Sequence, residues 1–337
     1  MARAPLRVSL AGGGTDLPSY ARDHGGLVIS LAIDRHVGVS VFPREFSGGV
    51  RASWEGTEQV LGAAQLGNPY AREVFRRAGV TGPLQVASFS DAPSGTGLGG
   101  SGAFTVSLLH ALRHARAGGG PQPDGLPHVD RTALAEDAAA VEMTDLGRPV
   151  GKHDHYMASY GGLRALYIGR DLSVRPEELP LSRECVEYVN ERLLLFYTGL
   201  SRDAGTVLED QANRTARGDS GVLASLDAMR ALATNMLEAV RHGRLDDIGP
   251  ILHEHWTNKV RMSHGITNPR IDVLYRTARA AGAEGGKLLG AGGGGFLLVA
   301  VRKGQENAVR AAMREQTARE LTFGPDTTGS QAVGLAL

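Results

Sequence analysis

The sequence predicts an α+β fold in two domains, and three observations point to it. The chain has 337 residues, more than one typical hydrophobic core serves. Apolar runs of strand character alternate with stretches of helical spacing along its length. Its 46 glycines gather at 12–14, 95–102, 118–120 and 290–295. Glycine between apolar runs serves close approach of one backbone to another.

The elements follow in chain order. LRVSLAGG reads as a strand entering the first glycine cluster. LVISLAIDRHVGVSVFP is strand material with a polar interruption near Asp34 to His36, and LQVASFSDAP is a strand ended by Pro93. From Ser101 to Arg116, Phe104, Leu108, Leu109 and Leu112 fall at helical spacing, and Gly118 stops that helix. AGGGPQPDGLPHVD has the composition of a flexible surface connection. RTALAEDAAAVEMTDLG is a further helix, with Gly147 as its cap and Pro149 as its stop.

GGLRALYIG and ERLLLFYTG read as strands. Between them RDLSVRPEELPLSRE is polar and carries two prolines, so the domain boundary is expected near residue 175, giving domains 1–175 and 176–337. In the second domain GVLASLDAMRALATNMLEAVRHG places Leu223, Leu226, Met229, Met236 and Val240 on one helix face. Such a stripe is core. KLLGAGGGGFLLVAV is strand-like on both sides of its glycine run.

Lys+Arg and Asp+Glu are equal at 36 each. That balance argues against nucleic acid or a membrane surface as a partner. No segment approaches the roughly 18–20 apolar residues of a membrane span. With Cys185 alone, the chain cannot form an internal disulfide, which suits a reducing cytoplasm. MARAPLRVSLAGGGTD has no apolar stretch of signal-peptide length before its glycines. A cytoplasmic enzyme is expected.

DAPSGTGLGGSGAFT is the stretch richest in chemistry. Gly95, Gly97 and Gly100 match G-x-G-x-x-G, between a strand and a helix. The dinucleotide fingerprint also needs an acid about 20 residues on, and here that distance falls in the loop at 118–123. No GK[ST] follows, so the nucleoside-triphosphate loop with its own lysine is absent as well. What remains is an anion site: backbone N–H groups of residues 96–102 delivered to a helix N-terminus near Ser101. A plain strand-to-helix turn seldom needs five glycines in eight residues.

PSGTGLGGSGAFT resembles the phosphate loop of the GHMP small-molecule kinases. RAPLRVSLAGGGTDLPSY resembles the first motif of that superfamily, and GGKLLGAGGGGF its third. AGGGTDLPSY, GRPVGKHDHYMASYGG, ERLLLFYTGLSR and SHGITNPRIDVLYRTARAAGAEGGKLLGAGGGGF are most similar to the D-glycero-D-manno-heptose 7-phosphate kinases. The resemblance covers nearly the whole chain. It implies a ribosomal-protein-S5-like α/β domain followed by a ferredoxin-like α+β domain, with the active site in the cleft between them.

It implies functional residues as well. Pro93, Gly95, Thr96, Gly97, Leu98, Gly99, Gly100, Ser101 and Gly102 would cradle ATP phosphates. Ser101 and Glu142 would hold Mg2+, as hard oxygen ligands suit it; read from the residues alone, Glu142 would sit on a solvated helix face. Asp154 would orient the substrate hydroxyl and accept its proton, and Arg7 would face it. Gly14, Thr15 and Asp16 would meet the sugar, with Lys152, His153, Gly293 and Gly294 completing the substrate site. Asp16 has a second reading as a helix cap. The glycines at 292–295 have one as a tight interstrand turn.

The sequence departs from the related heptose kinases in two places. They usually show GLGSSSA, where here Gly100 and Gly102 flank Ser101; they usually show GKQDQ, where here His153 and His155 flank Asp154. A shared metal on His153 and His155 is disfavoured, since residues two apart face different ways on a helix. The same holds for His253 and His255. The expectation is therefore a heptose 7-phosphate 1-kinase, monomer or homodimer, with a small-molecule sugar phosphate as partner. The alternatives are a 1-kinase for another sugar, or a kinase-like regulatory protein without turnover. Arg148, Lys259, Arg261, Arg270 and Lys287 are candidates for a substrate phosphate, and the sequence does not choose among them.

Overall fold

The structure is a computed structural model that describes residues 1–116, 129–201, 205–263 and 265–334. Its first sheet is built on β1 (Ala2–Ala11) and β2 (Gly26–Pro43), paired antiparallel. Short helix α1 (Pro18–His24) joins them, starting on Pro18. Both strands are apolar and buried along most of their length. The second half of β2 pairs with β5 (Leu84–Ser90), beyond which lie β3 (Val50–Ser53) and β4 (Thr57–Val60). The first half of β2 pairs with β6 (Leu163–Ile168), which continues to β7 (Val174–Glu178).

The polar interruption expected in β2 is a bulge, not a break. Leu6 pairs with Ile33 while Pro5 pairs with His36, so Asp34 and Arg35 face no β1 partner. An extra residue pair bends the strand without ending it.

Three helices on this sheet position the site. They are α3 (Gly100–Arg116), which packs on β1 and β2; α4 (Arg131–Ala140); and α5 (His153–Tyr160), which packs on α3, α4 and β1. A further helix, α2 (Pro69–Ala78), covers α3. Asn68 caps α2 and Asp130 caps α4 through side-chain oxygens, supplying acceptors that helix starts lack. The helix expected through 131–147 is not uniform: one π-turn, Val141–Asp145, follows α4, with Leu146 N–H donating to Val141 C=O at 3.0 Å. The expected surface connection at 117–130 lies, but for its last two residues, outside the described residues.

In the second half, the stretch read as a polar connection, 170–184, holds β7 and runs into helix α6 (Arg183–Arg192), capped by Ser182 on the Cys185 N–H. It leads into β8 (Leu193–Tyr197). Helices α7 (Gly205–Ala216), α8 (Ser220–Arg241), α9 (Ile248–Val260) and α10 (Pro269–Ala280) follow. The second sheet is completed by β9 (Ala283–Leu288), β10 (Phe296–Val301) and β11 (Arg319–Glu320), with α11 (Glu306–Glu315) between the last two. Its order is β11-β8-β10-β9, all antiparallel. The chain then returns to the first sheet, where β12 (Gln331–Ala332) pairs with β1.

The α+β class is as expected. The division at 175 is not how the sheets divide: residue 175 lies inside β7, bonded to β6. The core is also shared. Leu193, Leu195, Leu298 and Ala300 join the cluster that holds β1 and β2, while Leu194, Phe196, Leu297 and Val299 face a second cluster. Alternate residues of a strand buried on both faces behave this way. The α8 stripe spans both clusters, with Leu226 and Met229 in one and Met236 and Val240 in the other.

The two sheets also meet backbone to backbone. Gly97 has φ +84°, and a Cβ there would lie 2.5 Å from Leu289 C=O. Phe296 N–H donates to Thr96 C=O at 3.1 Å. Gly97→Ala adds a left-handed alanine and a clash with backbone that has little room to move. We expect it to lower the unfolding free energy by about 2 kcal/mol or more, measured by urea titration.

Candidate functional site

Between the sheets lies a cleft of about 1060 Å³, lined by the first glycine turn, loop 92–101, the start of α5 and the 289–294 loop. Loop 92–101 leaves β5 and runs into α3. Among the described residues no protein acceptor meets the N–H groups of Gly97, Leu98 or Gly99. The N-terminus of α3 adds its dipole. The loop is thus an anion cradle in which Pro93, Gly95, Thr96, Gly97, Leu98, Gly99, Gly100 and Ser101 all face the cleft. Gly102 does not line it, and its smallness has another cause. A Cβ there would lie 2.8 Å from Asp154 Cβ and 3.1 Å from its backbone carbon. The missing side chain lets α3 lie against α5.

Arg7 projects from β1 to Asp154 at the start of α5. Its guanidinium is 2.7 Å from Asp154 Oδ1 through Nη2 and 2.8 Å through Nε, and it also donates to Gly97 C=O. The Asp154 side chain keeps 28% exposure, on the cleft side. Burial alone would push its carboxyl up; the charge of Arg7, with its hydrogen bond, outweighs this and holds it below the usual carboxylate range. His153 is buried, 3.3 Å from the same carboxylate oxygen, and burial and Arg7 push it down to about 3. It is therefore neutral at physiological pH.

Ser101 and Glu142 come together from α3 and the π-turn. Ser101 Oγ is 3.5 Å from Glu142 Oε2. Glu142 is 2% exposed, so the solvated-face reading is wrong for it. His155 Nε2 sits 3.2 Å from Glu142 Oε1, which leaves Oε2 turned to Ser101. One hydroxyl and one buried carboxylate beside an anion cradle fit Mg2+, which takes few protein ligands and completes its shell with phosphate oxygens and water. Among the described residues no cluster of three or more His, Cys, Asp or Glu could hold a metal ion by itself.

The sugar-side expectations divide. Asp16 is buried and lines the cleft beside Gly14, whose N–H it accepts at 3.2 Å. Burial, and then Asp154, raise its carboxyl pKa. It does not cap α1, which begins after Leu17 with no side-chain cap. Thr15 is fully buried and does not line the cleft: its hydroxyl donates to Gly12 C=O at 2.8 Å and accepts the Leu27 N–H at 3.2 Å. It fastens the first turn to β2. Lys152 is also displaced from its expected place. Its ammonium pairs with Glu136 at 2.6 Å, outside the cleft, because that carboxylate and Tyr156 OH form one cluster on α4 and α5.

The run at 289–295 is both an interstrand connection, from β9 to β10, and a cleft wall. Gly294 lines the cleft; Gly293 instead bonds Ile266 C=O and the Asn268 side chain. Of the five basic candidates, Arg148, Lys259 and Lys287 line the cleft, while Arg261 and Arg270 do not.

Sequence reasoning missed several lining residues. Ser9 is two residues from Arg7 on β1, so the period of a strand gave a signal for it. Trp54, Tyr70 and Phe89 come from separate elements and form an aromatic mouth beyond loop 92–101, with Arg148 over the Tyr70 ring at 5.1 Å. His255 reaches from α9 to accept the Gly12 N–H at 3.2 Å and is buried at the cleft wall.

Arg7→Met removes the cation and leaves the burial. We expect the Asp154 carboxyl to titrate above the ordinary aspartate range in that variant and below it in the parent, read by carboxyl 13C NMR. The carboxylate form is thus lost at higher pH in the variant.

Comparisons with known proteins agree with this architecture. The model of the GHMP kinases N terminal domain matches residues 65–162, and that of the GHMP kinases C terminal matches residues 236–319. Together they cover more than half of the chain. A D-glycero-alpha-D-manno-heptose 7-phosphate kinase of Campylobacter jejuni is 27% identical over 326 residues, covering 93% of each chain. A bifunctional fucokinase/GDP-fucose pyrophosphorylase of Arabidopsis thaliana is 23% identical over 90% of this chain and 30% of its own length. A solved D-glycero-D-manno-heptose 1-phosphate kinase from Bacteriodes thetaiotaomicron superposes with a TM-score of 0.76 at 23% identity, over 98% of this chain and 97% of its own. At that identity the likeness concerns the fold.

Proposed function

Because the chain belongs to the GHMP kinases, phosphotransferases with an alcohol group as acceptor, we propose that it transfers the γ-phosphoryl of ATP to the anomeric hydroxyl of a heptose 7-phosphate. The observation that carries the reading is the Arg7–Asp154 pair, at 2.7 Å, set directly against the glycine cradle in one cleft. The kinship with a heptose 7-phosphate kinase over 93% of the chain supports the acceptor.

The residues divide the work by their chemistry. Backbone N–H groups of loop 92–101 hold the ATP phosphates. The adenine enters the aromatic mouth of Trp54, Tyr70 and Phe89. Ser101 and Glu142 hold Mg2+, which when bound neutralises phosphate charge. Asp16 and the Gly14 turn accept and orient sugar hydroxyls.

Asp154 accepts a hydrogen bond from the anomeric hydroxyl, whose oxygen attacks the γ-phosphorus as the bond to the ADP oxygen breaks. The hydroxyl proton passes to the carboxylate. A carboxylate with a lowered pKa is a weak base, but a loose phosphoryl transition state asks little of one. The nucleophile becomes acidic only late, so Asp154 acts first by orientation. Arg7 keeps it ionised and lies near the developing charge.

A second reading keeps the mechanism and changes the sugar. The relative with fucokinase activity in its name covers 90% of this chain, and His153 borders the acceptor side of Asp154. A panel of heptose 7-phosphates, other sugar phosphates and free sugars, followed by ADP release and product mass, tests both. Turnover confined to a free sugar sinks the heptose 7-phosphate assignment.

Asp154→Asn is expected to lower kcat by about 10²-fold or more while ATP affinity by calorimetry changes little. Near-normal turnover would remove Asp154 from the chemistry. Glu142→Gln is expected to raise the Mg2+ concentration for half-maximal ATP binding by about tenfold, read by titrating Mg2+ against a fluorescent ATP analogue.

A further inference from the structure

Among the described residues, the two lysines of the cleft have no counter-charge. Lys259 on α9 is 8% exposed and Lys287 on β9 is 2% exposed. Lys259 Nζ donates to the carbonyls of Leu288 and Gly290, and Lys287 Nζ to Ser9 Oγ at 3.3 Å. Among the described residues neither ammonium has a carboxylate within ion-pair distance. An unpaired buried ammonium is strongly unfavourable, and chains retain one when something else supplies the negative charge. Burial, followed by Arg7, pushes Lys259 down to about 7, and burial with Lys259 and Arg7 pushes Lys287 well down.

The neutral groups beside them repeat the pattern. His255 accepts the Gly12 N–H through Nε2, so its ring hydrogen is on Nδ1, and that buried atom has no partner. Gln211 Nε2, also buried and from a cleft-lining residue, has none either. This wall of the cleft presents donors and positive charge. The carboxylates of the cleft do not answer it. Asp154 is taken by Arg7, Glu142 faces Ser101 and His155, Asp16 accepts the Gly14 N–H, Glu55 accepts from Ser94 Oγ, and the exposed Glu209 forms no ion pair with either lysine.

We propose that Lys259 and Lys287, with Ser9 and His255 as neutral donors, bind the phosphate monoester carried by a phosphorylated acceptor. The proposal rests on the kinase reading above and names the part of the site that selects a sugar phosphate over a free sugar. The charges match: with Arg7 cancelled by Asp154, a bound dianion supplies the negative charge that favours the protonated form of both lysines. The placement matches too. Ser9 and Arg7 lie two apart on β1, on one face, so the lysine pocket borders the reacting centre without being part of the Asp154 pair. The anionic end of the acceptor thus sits beside Ser9 and the first glycine turn, which His255 and Lys287 contact.

The test compares Lys287→Met and Lys259→Met on a heptose 7-phosphate and on the same heptose without its phosphate, at saturating Mg-ATP. We expect kcat/KM for the phosphorylated acceptor to fall by about 10²-fold or more. The value for the free heptose should change less than about threefold, with KM for ATP unmoved. Equal losses on both acceptors overturn the proposal and assign the lysines to the phosphoryl group in transfer. Unchanged discrimination in the variants overturns it as well. A parent enzyme that prefers the free heptose fails the acceptor reading itself, and is told apart because the parent alone reveals it. Folding is checked by thermal melts, where the methionine variants should melt no lower than the parent. If one does not fold, Lys287→Gln or Lys259→Gln keeps a donor, removes the charge and gives the same comparison.

Discussion

Everything in the cleft depends on one contact, in which the backbone of residues 96–97 lies against the backbone of residues 289–296. Gly97 and Gly290 approach so closely that a Cβ on Gly290 would fall 2.5 Å from Gly97 Cα. The Phe296 N–H closes the contact on Thr96 C=O. With no side chains between them, the anion cradle and the wall carrying Lys287 are held at a set separation. Side-chain packing at the same place would let that separation vary with every rotamer. Glycine on both partners converts a junction between sheets into a fixed gauge.

Electrostatics within that frame is arranged by subtraction. Arg7 and Asp154 neutralise each other, and the pair donates onward to Gly97 C=O. Glu142 spends one oxygen on His155 and keeps the other toward Ser101. What is left is positive on the lysine wall and donor-rich on the loop. A protein of zero formal net charge therefore holds a local field suited to anions. Bulk charge balance excluded nucleic acid as an expectation but was silent on such a pocket.

Much of this was legible in the sequence, and the limits have physical causes. The glycine spacing at 95–102 marked the loop because few other structures need so many permissive residues together. The Arg7–Asp154 partnership was read from resemblance, since residues so distant in sequence carry no local sign of contact. Helix α6 was hidden because RECVEYVNER has a narrow apolar face amid charge. The bulge in β2 looked like a break because polarity, not pairing, is what a sequence displays. Lys152 was expected in the substrate site and Lys287 only among five candidates for a substrate phosphate. Both are lysines beside glycine in a motif, and only the fold pairs one with Glu136 and buries the other alone. Thr15 looked like a sugar ligand because a hydroxyl in a glycine turn serves ligand and backbone equally well.

The pairing of β12 with β1 carries a consequence for how the chain is made. Ala2 and Ala332 are Cα partners in that ladder, and the Met1 amino group donates to Val333 C=O at 2.9 Å. During synthesis β1 is made more than three hundred residues before the strand that pairs with its Ala2 and Arg3. For that interval an apolar strand edge stands open to other nascent chains. Contacts of such sequence separation also form late and slowly. The first sheet is therefore finished by the last described strand to be translated.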